Sequence, residues 1–159
     1  LELLDVAEFE FYTLKDAADL ALSLAGLCPD PASAAMGLSE LLVNAVEHGN
    51  LGISYADKSE MRRNESWERE VEERLGDPVL GARRARLIFR RLADQLMFTI
   101  SDEGEGFDWR GYLEFSPERA FDPNGRGIAL ARLASFSSLD YRGCGNIVVV
   151  TVAAAPRSS

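Results

Sequence analysis

The sequence is poor in the residues that do most metal and redox chemistry. It has one histidine, His48, and two cysteines, Cys28 and Cys144, in 159 residues. No CxxC or HxxxH spacing exists, so a structural or catalytic zinc site has too few ligands. Two distant cysteines, with no other sign of an oxidising compartment, read as buried thiols of a cytoplasmic protein. Bases are also in deficit: 17 Lys and Arg stand against 26 Asp and Glu, a formal net charge of −9. Nucleic acid and anionic membranes repel such a chain unless its bases gather on one face, so neither is expected as a partner. No apolar run approaches the roughly 18 residues of a membrane span, and no signal peptide opens the chain. The start at Leu1, without Met, is what a piece of a longer, multidomain polypeptide would show.

What is present suits one soluble domain over residues 1–159, with 47% hydrophobic and 27% charged residues. Its core is expected over about 9–152. Phe9-Glu10-Phe11-Tyr12-Thr13 alternates like a strand. Thr13 then caps a helix with an acid at its third position, followed by Ala17, Leu20, Ala21 and Leu24 at helical spacing and a stop at Gly26. Asp30-Pro31 opens a second helix that runs through Met36, Leu38, Leu41, Leu42, Ala45 and Val46 to Gly49. Residues 51–58 read as loop and about 59–75 as a third helix, with Trp67, Val71 and Leu75 on one stripe. Its other positions are charged, including Glu65 with Arg69 and Glu70 with Arg74 at i, i+4. Strands are expected at about 84–92 and 95–101, a helix after Gly125-Arg126-Gly127 to about Phe136, and a hairpin of 137–142 with 146–152. The order β-α-α-α-β-β-α-β-β predicts a two-layer α/β sandwich, a mixed or antiparallel sheet covered on one face by helices.

Three segments carry candidate chemistry. In Glu40-Leu41-Leu42-Val43-Asn44-Ala45-Val46-Glu47-His48-Gly49-Asn50, residues Glu40, Asn44 and Glu47 fall at i, i+4, i+7 and share a face of an apolar helix. A carboxylate one turn from a carboxamide suits a divalent ion and a proton transfer, although the solvent side of an amphipathic helix gives the same pattern. In Asp102-Glu103-Gly104-Glu105-Gly106-Phe107, Asp102 follows a buried strand and can project into a pocket. The glycines let the backbone turn and a ligand approach, although an acidic turn looks the same. In Asn124-Gly125-Arg126-Gly127-Ile128, glycines before a helix, with Arg126, form an anion site. Each segment is weak alone.

In this order the three resemble the N box, G1 box and G2 box of the GHKL (Bergerat-fold) ATP-binding superfamily. The anti-sigma-factor serine/threonine kinase branch is the nearest match. That branch has an N box ending like His48-Gly49-Asn50, a G1 box trailed by residues like Phe107-Asp108, and a Gly125-Arg126-Gly127 G2 box. The resemblance spans roughly 9–152. It implies that Asn44 ligates Mg²⁺ and that Glu40 is the base for the attacking hydroxyl or water. Asp102 would bind the adenine amino group, and Gly104 and Gly106 would shape the purine pocket. Gly125, Arg126 and Gly127 would hold phosphates, with 109–124 as a lid.

The activity this implies is Mg-ATP-dependent phosphorylation of an anti-anti-sigma (STAS-type) antagonist in a cytoplasmic partner-switching pathway. A sigma factor is a possible second partner, and a homodimer is the family expectation. The alternatives are a non-catalytic regulator-binding module and the ATPase domain of a larger sensor. A histidine autokinase needs an acceptor histidine on a dimerisation helix, whereas His48 lies inside the nucleotide motif, and no F box of that type separates the G1 and G2 boxes. The charged stretch 51–78 is longer than its counterpart in compact anti-sigma kinases. It reads either as a solvated helix or as a docking surface.

Overall fold

The computed structural model describes residues 3–106 and 136–155. Among the described residues five strands form one sheet: β1 (Val6–Phe11), β2 (Ala85–Arg91), β3 (Gln95–Ser101), β4 (Ser138–Arg142) and β5 (Ile147–Ala153). Their spatial order is β1-β2-β3-β5-β4, and every adjacent pair is antiparallel. The open choice between a mixed and an antiparallel sheet thus falls to antiparallel. Alternation sets which face is buried. Leu87, Phe89, Leu96, Phe98, Ile100, Val148 and Val150 point to the core, whereas Glu8, Arg86 and Arg90 are exposed on the other side. Phe89 lies directly opposite Phe98, with ring centroids 5.4 Å apart, so a cross-strand aromatic pair pins the register of β2 on β3.

Among the described residues two helices pack on the sheet as the second layer. In α1 (Leu14–Ala25), Thr13 accepts from the Asp16 N–H as the expected cap. In α2 (Pro31–Asn44), Asp30 accepts from the Ser33 N–H, with Pro31 in the first turn. Small buried residues bring the two axes together, Ala17 and Ala21 from α1 with Ala34 and Gly37 from α2. Leu38, Leu41 and Leu42 then reach the same core as the sheet.

Several elements differ from expectation, each for a local reason. The first strand starts at Val6 and ends at Phe11, because Thr13 is committed to capping α1. The second helix does not continue as α-helix to Gly49. After Asn44 it widens into a π-helical turn, Ala45–Asn50, in which the Leu51 N–H reaches back to the Val46 carbonyl at 2.9 Å.

The charged stretch forms two helices, α3 (Tyr55–Arg63) and α4 (Trp67–Leu75). Ser54 caps α3 by accepting from the Asp57 N–H, so helix begins where loop is expected. Asn64 closes it, and Glu65 takes a left-handed φ of 56° that breaks the single helix. Arg69 consequently pairs with Glu73 rather than Glu65, while the Glu70–Arg74 pair forms at 2.7 Å.

Cys28 is buried, but Cys144, on the β4–β5 turn, is exposed, contrary to the expectation of two buried thiols. Gly125, Arg126 and Gly127, the lid 109–124, Phe107-Asp108 and the helix expected before Phe136 lie outside the described residues. Among the described residues no helix is long and apolar enough to cross a membrane.

Candidate functional site

The change from α to π pitch places Asn44 at a junction. It lines a cleft together with Leu41, His48, Asp102, Gly106 and Tyr141. It also lines a second, larger cavity with Glu40, Glu47, Lys58, Arg62 and Trp67. The expected shared face of Glu40, Asn44 and Glu47 is present, and it belongs to the second cavity. Adjacent faces of one helix therefore serve two compartments, with a carboxamide between them.

The first cleft is floored by Ile100 and Val148 from the sheet and closed at one end by the carboxylate of Asp102. Asp102 leaves β3 held by backbone: its N–H donates to the Asn146 carbonyl at 3.0 Å. Its Oδ1 accepts from the Gly104 N–H at 2.8 Å. Burial pushes the Asp102 carboxyl up to about 6, against the Gly104 N–H and the charge of Arg83, which both hold it down. A half-buried carboxylate lining a cleft with apolar Ile100 and Val148 suits an exocyclic amine of a planar base.

Glycine is required where the boxes meet. A Cβ on Gly49 would lie 2.3 Å from the Asp102 Cγ, and one on Gly104 would lie 2.3 Å from the Gly49 carbonyl oxygen. Gly106 has φ +83°, and a Cβ there would lie 2.1 Å from the Cys144 carbonyl oxygen. Asn50 ties the same junction, since its Oδ1 accepts from the Glu103 N–H at 2.9 Å. The end of the second helix and the turn after β3 are thus one unit.

The second cavity is built on charge. Glu47 is 1% exposed, and its Oε2 sits 2.5 Å from the Lys58 Nζ of α3, itself in a buried residue. Burial pushes the Glu47 carboxyl up, and the bond and charge of Lys58 draw it back down. Arg74 donates to the Leu51 carbonyl at 2.8 Å and Arg83 to the Asn50 carbonyl at 3.0 Å. The Glu47–Lys58 pair fastens the 51–78 stretch to the end of the N-box helix, and Lys58, Arg62 and Trp67 make it a wall of the cavity. Glu40 stands exposed on that side.

His48 is held neutral. Its Nδ1 donates to the Ile53 carbonyl, its ring stacks on Tyr55 at 3.8 Å, and burial depresses its pKa to about 4. His48 is thus a packed, hydrogen-bonded side chain at the helix end. Tyr55, Tyr141 and Asn146 line the first cleft without having stood out in the sequence, because no short motif marks them. Lys58 is legible only in hindsight, as one cation in a charge run. Among the described residues no cluster of three or more His, Cys, Asp or Glu could hold a metal. A cation at Asn44 would need oxygens from a ligand as well, which is how Mg²⁺ sits on nucleotide phosphates.

Residues 30–152 match the model of a family described as the histidine kinase-like ATPase domain. No curated protein matches the chain.

Proposed function

This chain belongs to the histidine kinase-like ATPase domain family, a GHKL fold, and on that premise we propose that it is a Mg-ATP-dependent protein serine/threonine kinase of the anti-sigma type. Its substrate would be a STAS-type antagonist, with a sigma factor as possible second partner and a homodimer as the working assembly. The observation that carries the reading is Asn44, which faces Asp102 across one compartment and Glu40 in the next. Asp102 would accept from the adenine amino group, and the Gly49–Gly104 contact would keep that carboxylate in place. Asn44 would offer its amide oxygen to Mg²⁺, which when bound supplies charge neutralisation at the phosphates. Gly125, Arg126 and Gly127 would bind phosphate oxygens.

Glu40 would take the proton of the acceptor hydroxyl as that oxygen forms a bond to the γ-phosphorus of ATP. The bond from γ-phosphorus to the bridging oxygen breaks, and ADP leaves with that electron pair. His48 is an unsuitable acceptor, since its ring is buried and its Nδ1 is committed to Ile53. That favours a hydroxyl acceptor on another chain over autophosphorylation at histidine.

The test is transfer of labelled γ-phosphate to recombinant STAS-type proteins, with Glu40→Gln as control and ATP binding measured for both. The expected result is label on a partner serine or threonine that is lost in Glu40→Gln while ATP still binds. ATP binding with no labelled partner would instead favour a regulator-binding module.

A further inference from the structure

The charged stretch meets the nucleotide cleft at one point. Among the described residues that line the cleft, Tyr55, the first residue of α3, is the one that comes from 51–78. The chain around it fixes its place. The Leu51 N–H donates to the Val46 carbonyl and the Ile53 N–H to the Glu47 carbonyl, each at 2.9 Å, so the backbone leaves the π-helical turn tied to it. The Ile53 carbonyl accepts from His48 Nδ1, and the Tyr55 ring stacks on the same imidazole, 27° from parallel. Ser54 starts α3 at Tyr55 by accepting from the Asp57 N–H, and one turn further Lys58 is locked to Glu47 at 2.5 Å. Tyr55 is therefore held from both sides, by the grip on His48 and by the buried ion pair.

The lining of the cleft says what this ring is suited to meet. Leu41, Ile100 and Val148 would accept any apolar group of the right size. An aromatic ring adds a preference for a flat π face, which a purine has and a sugar or an alkyl chain lacks. The His48 side chain is only 9% exposed, whereas Tyr55 is half-buried and lines the cleft. Contact with a base thus falls to Tyr55, with the imidazole as its support. We infer that α3 is a wall of the nucleotide cleft and that Tyr55, backed by His48, packs against the base. The inference rests on the proposed use of this cleft for adenine. It adds that the charged stretch takes part in holding ATP, so a partner that displaces α3 lowers nucleotide affinity, and bound nucleotide opposes that partner by the same factor.

The experiment pairs calorimetry of Mg-ATP binding with proton NMR of the whole chain bound to Mg-ADP. Wild type, Tyr55→Phe and Tyr55→Leu are compared, with a thermal melt of each without nucleotide. In wild type, nuclear Overhauser contacts are expected between the adenine protons and the Tyr55 ring, whose signals are assigned by their loss in Tyr55→Phe. Tyr55→Phe keeps a ring in place and should bind ATP as wild type does. Tyr55→Leu keeps apolar bulk without the ring and should weaken ATP by about 5- to 150-fold, the worth of one base–aromatic stack. A Tyr55 that serves only to anchor α3 would lower the melt and show no adenine contact. Unchanged ATP affinity in Tyr55→Leu, or adenine contacts to Tyr141 of β4 and none to Tyr55, would overturn the inference. The wild-type contacts decide the matter even where Tyr55→Leu does not fold. ATP binding with the Tyr55 contact but no phosphate transfer to any protein would keep the wall and sink the kinase reading. Phosphate transfer with the same KM for ATP in wild type and Tyr55→Leu would do the reverse.

Discussion

Glu47 and Asp102 are carboxylates withdrawn from water on two sides of the same π-helical turn, and the chain treats them differently. Burial raises the pKa of both. Glu47 is given a lysine, and the pair fastens α3 to the N-box helix. Asp102 is given a backbone N–H and lines a cleft. The first arrangement spends its charge on structure. The second holds a charge ready for a ligand, the usual mark of a binding site.

Breaking the paired side should have the largest effect on folding. Lys58→Met leaves Glu47 buried and uncompensated, and we expect a loss of about 3–5 kcal/mol in chemical denaturation. Adding Glu47→Leu should restore most of it, because the pair is replaced by apolar contact. Gly49→Ala attacks the junction between the two sides. Its Cβ would fall within 2.6 Å of both Asp102 oxygens, so we expect a cost of about 1–3 kcal/mol and weakened ATP binding, read by calorimetry.

Titration sharpens the comparison further. The Asp102 carboxyl, raised from 3.8 to about 6, contributes stability that is complete below pH 3.8 and lost as pH rises through 6. His48, lowered from 6.5 to about 4, contributes stability that is complete above pH 6.5 and lost as pH falls through 4. The two slopes oppose each other between about pH 4 and 6. Asp102→Asn should therefore expose the histidine slope, making the protein progressively less stable towards acid, as thermal melts across that range would record. The smallest effect is expected on the open sheet face, where Arg86 sits 3.1 Å from Glu8 and 3.7 Å from Glu10 in solvent. Arg86→Ala should cost about 0–1 kcal/mol, and less in high salt.

The sequence makes some of this molecule plain and hides the rest for physical reasons. Thr13 and Asp30 announce their helices because a cap needs a particular side chain at a particular spacing. The alternation of Leu87, Phe89, Leu96, Phe98 and Ile100 announces the buried sheet face. Glu40, Asn44 and Asp102 stand out because three short motifs recur in a fixed order. The π-helical turn leaves no such mark, since Gly49 and Asn50 at the end of Ala45–Asn50 read as an ordinary helix stop. Lys58 is hidden in a run of charges whose usual meaning is a solvated surface. The break at Glu65 is hidden too, because its left-handed backbone is held by the Ser66 N–H on the Met61 carbonyl at 2.9 Å rather than by a glycine.

The most direct measurement is the affinity of Mg-ATP for the wild-type protein and for Asp102→Asn at pH 7.5, with GTP as the comparison nucleotide. The expected result is that wild type binds ATP over GTP and that Asp102→Asn loses about 10- to 150-fold, the worth of one charged hydrogen bond. Its folding should be unharmed at that pH. Equal ATP affinity in the two proteins, or no preference for adenine, would contradict the assignment of Asp102 as the adenine-reading group and of the cleft as the nucleotide site.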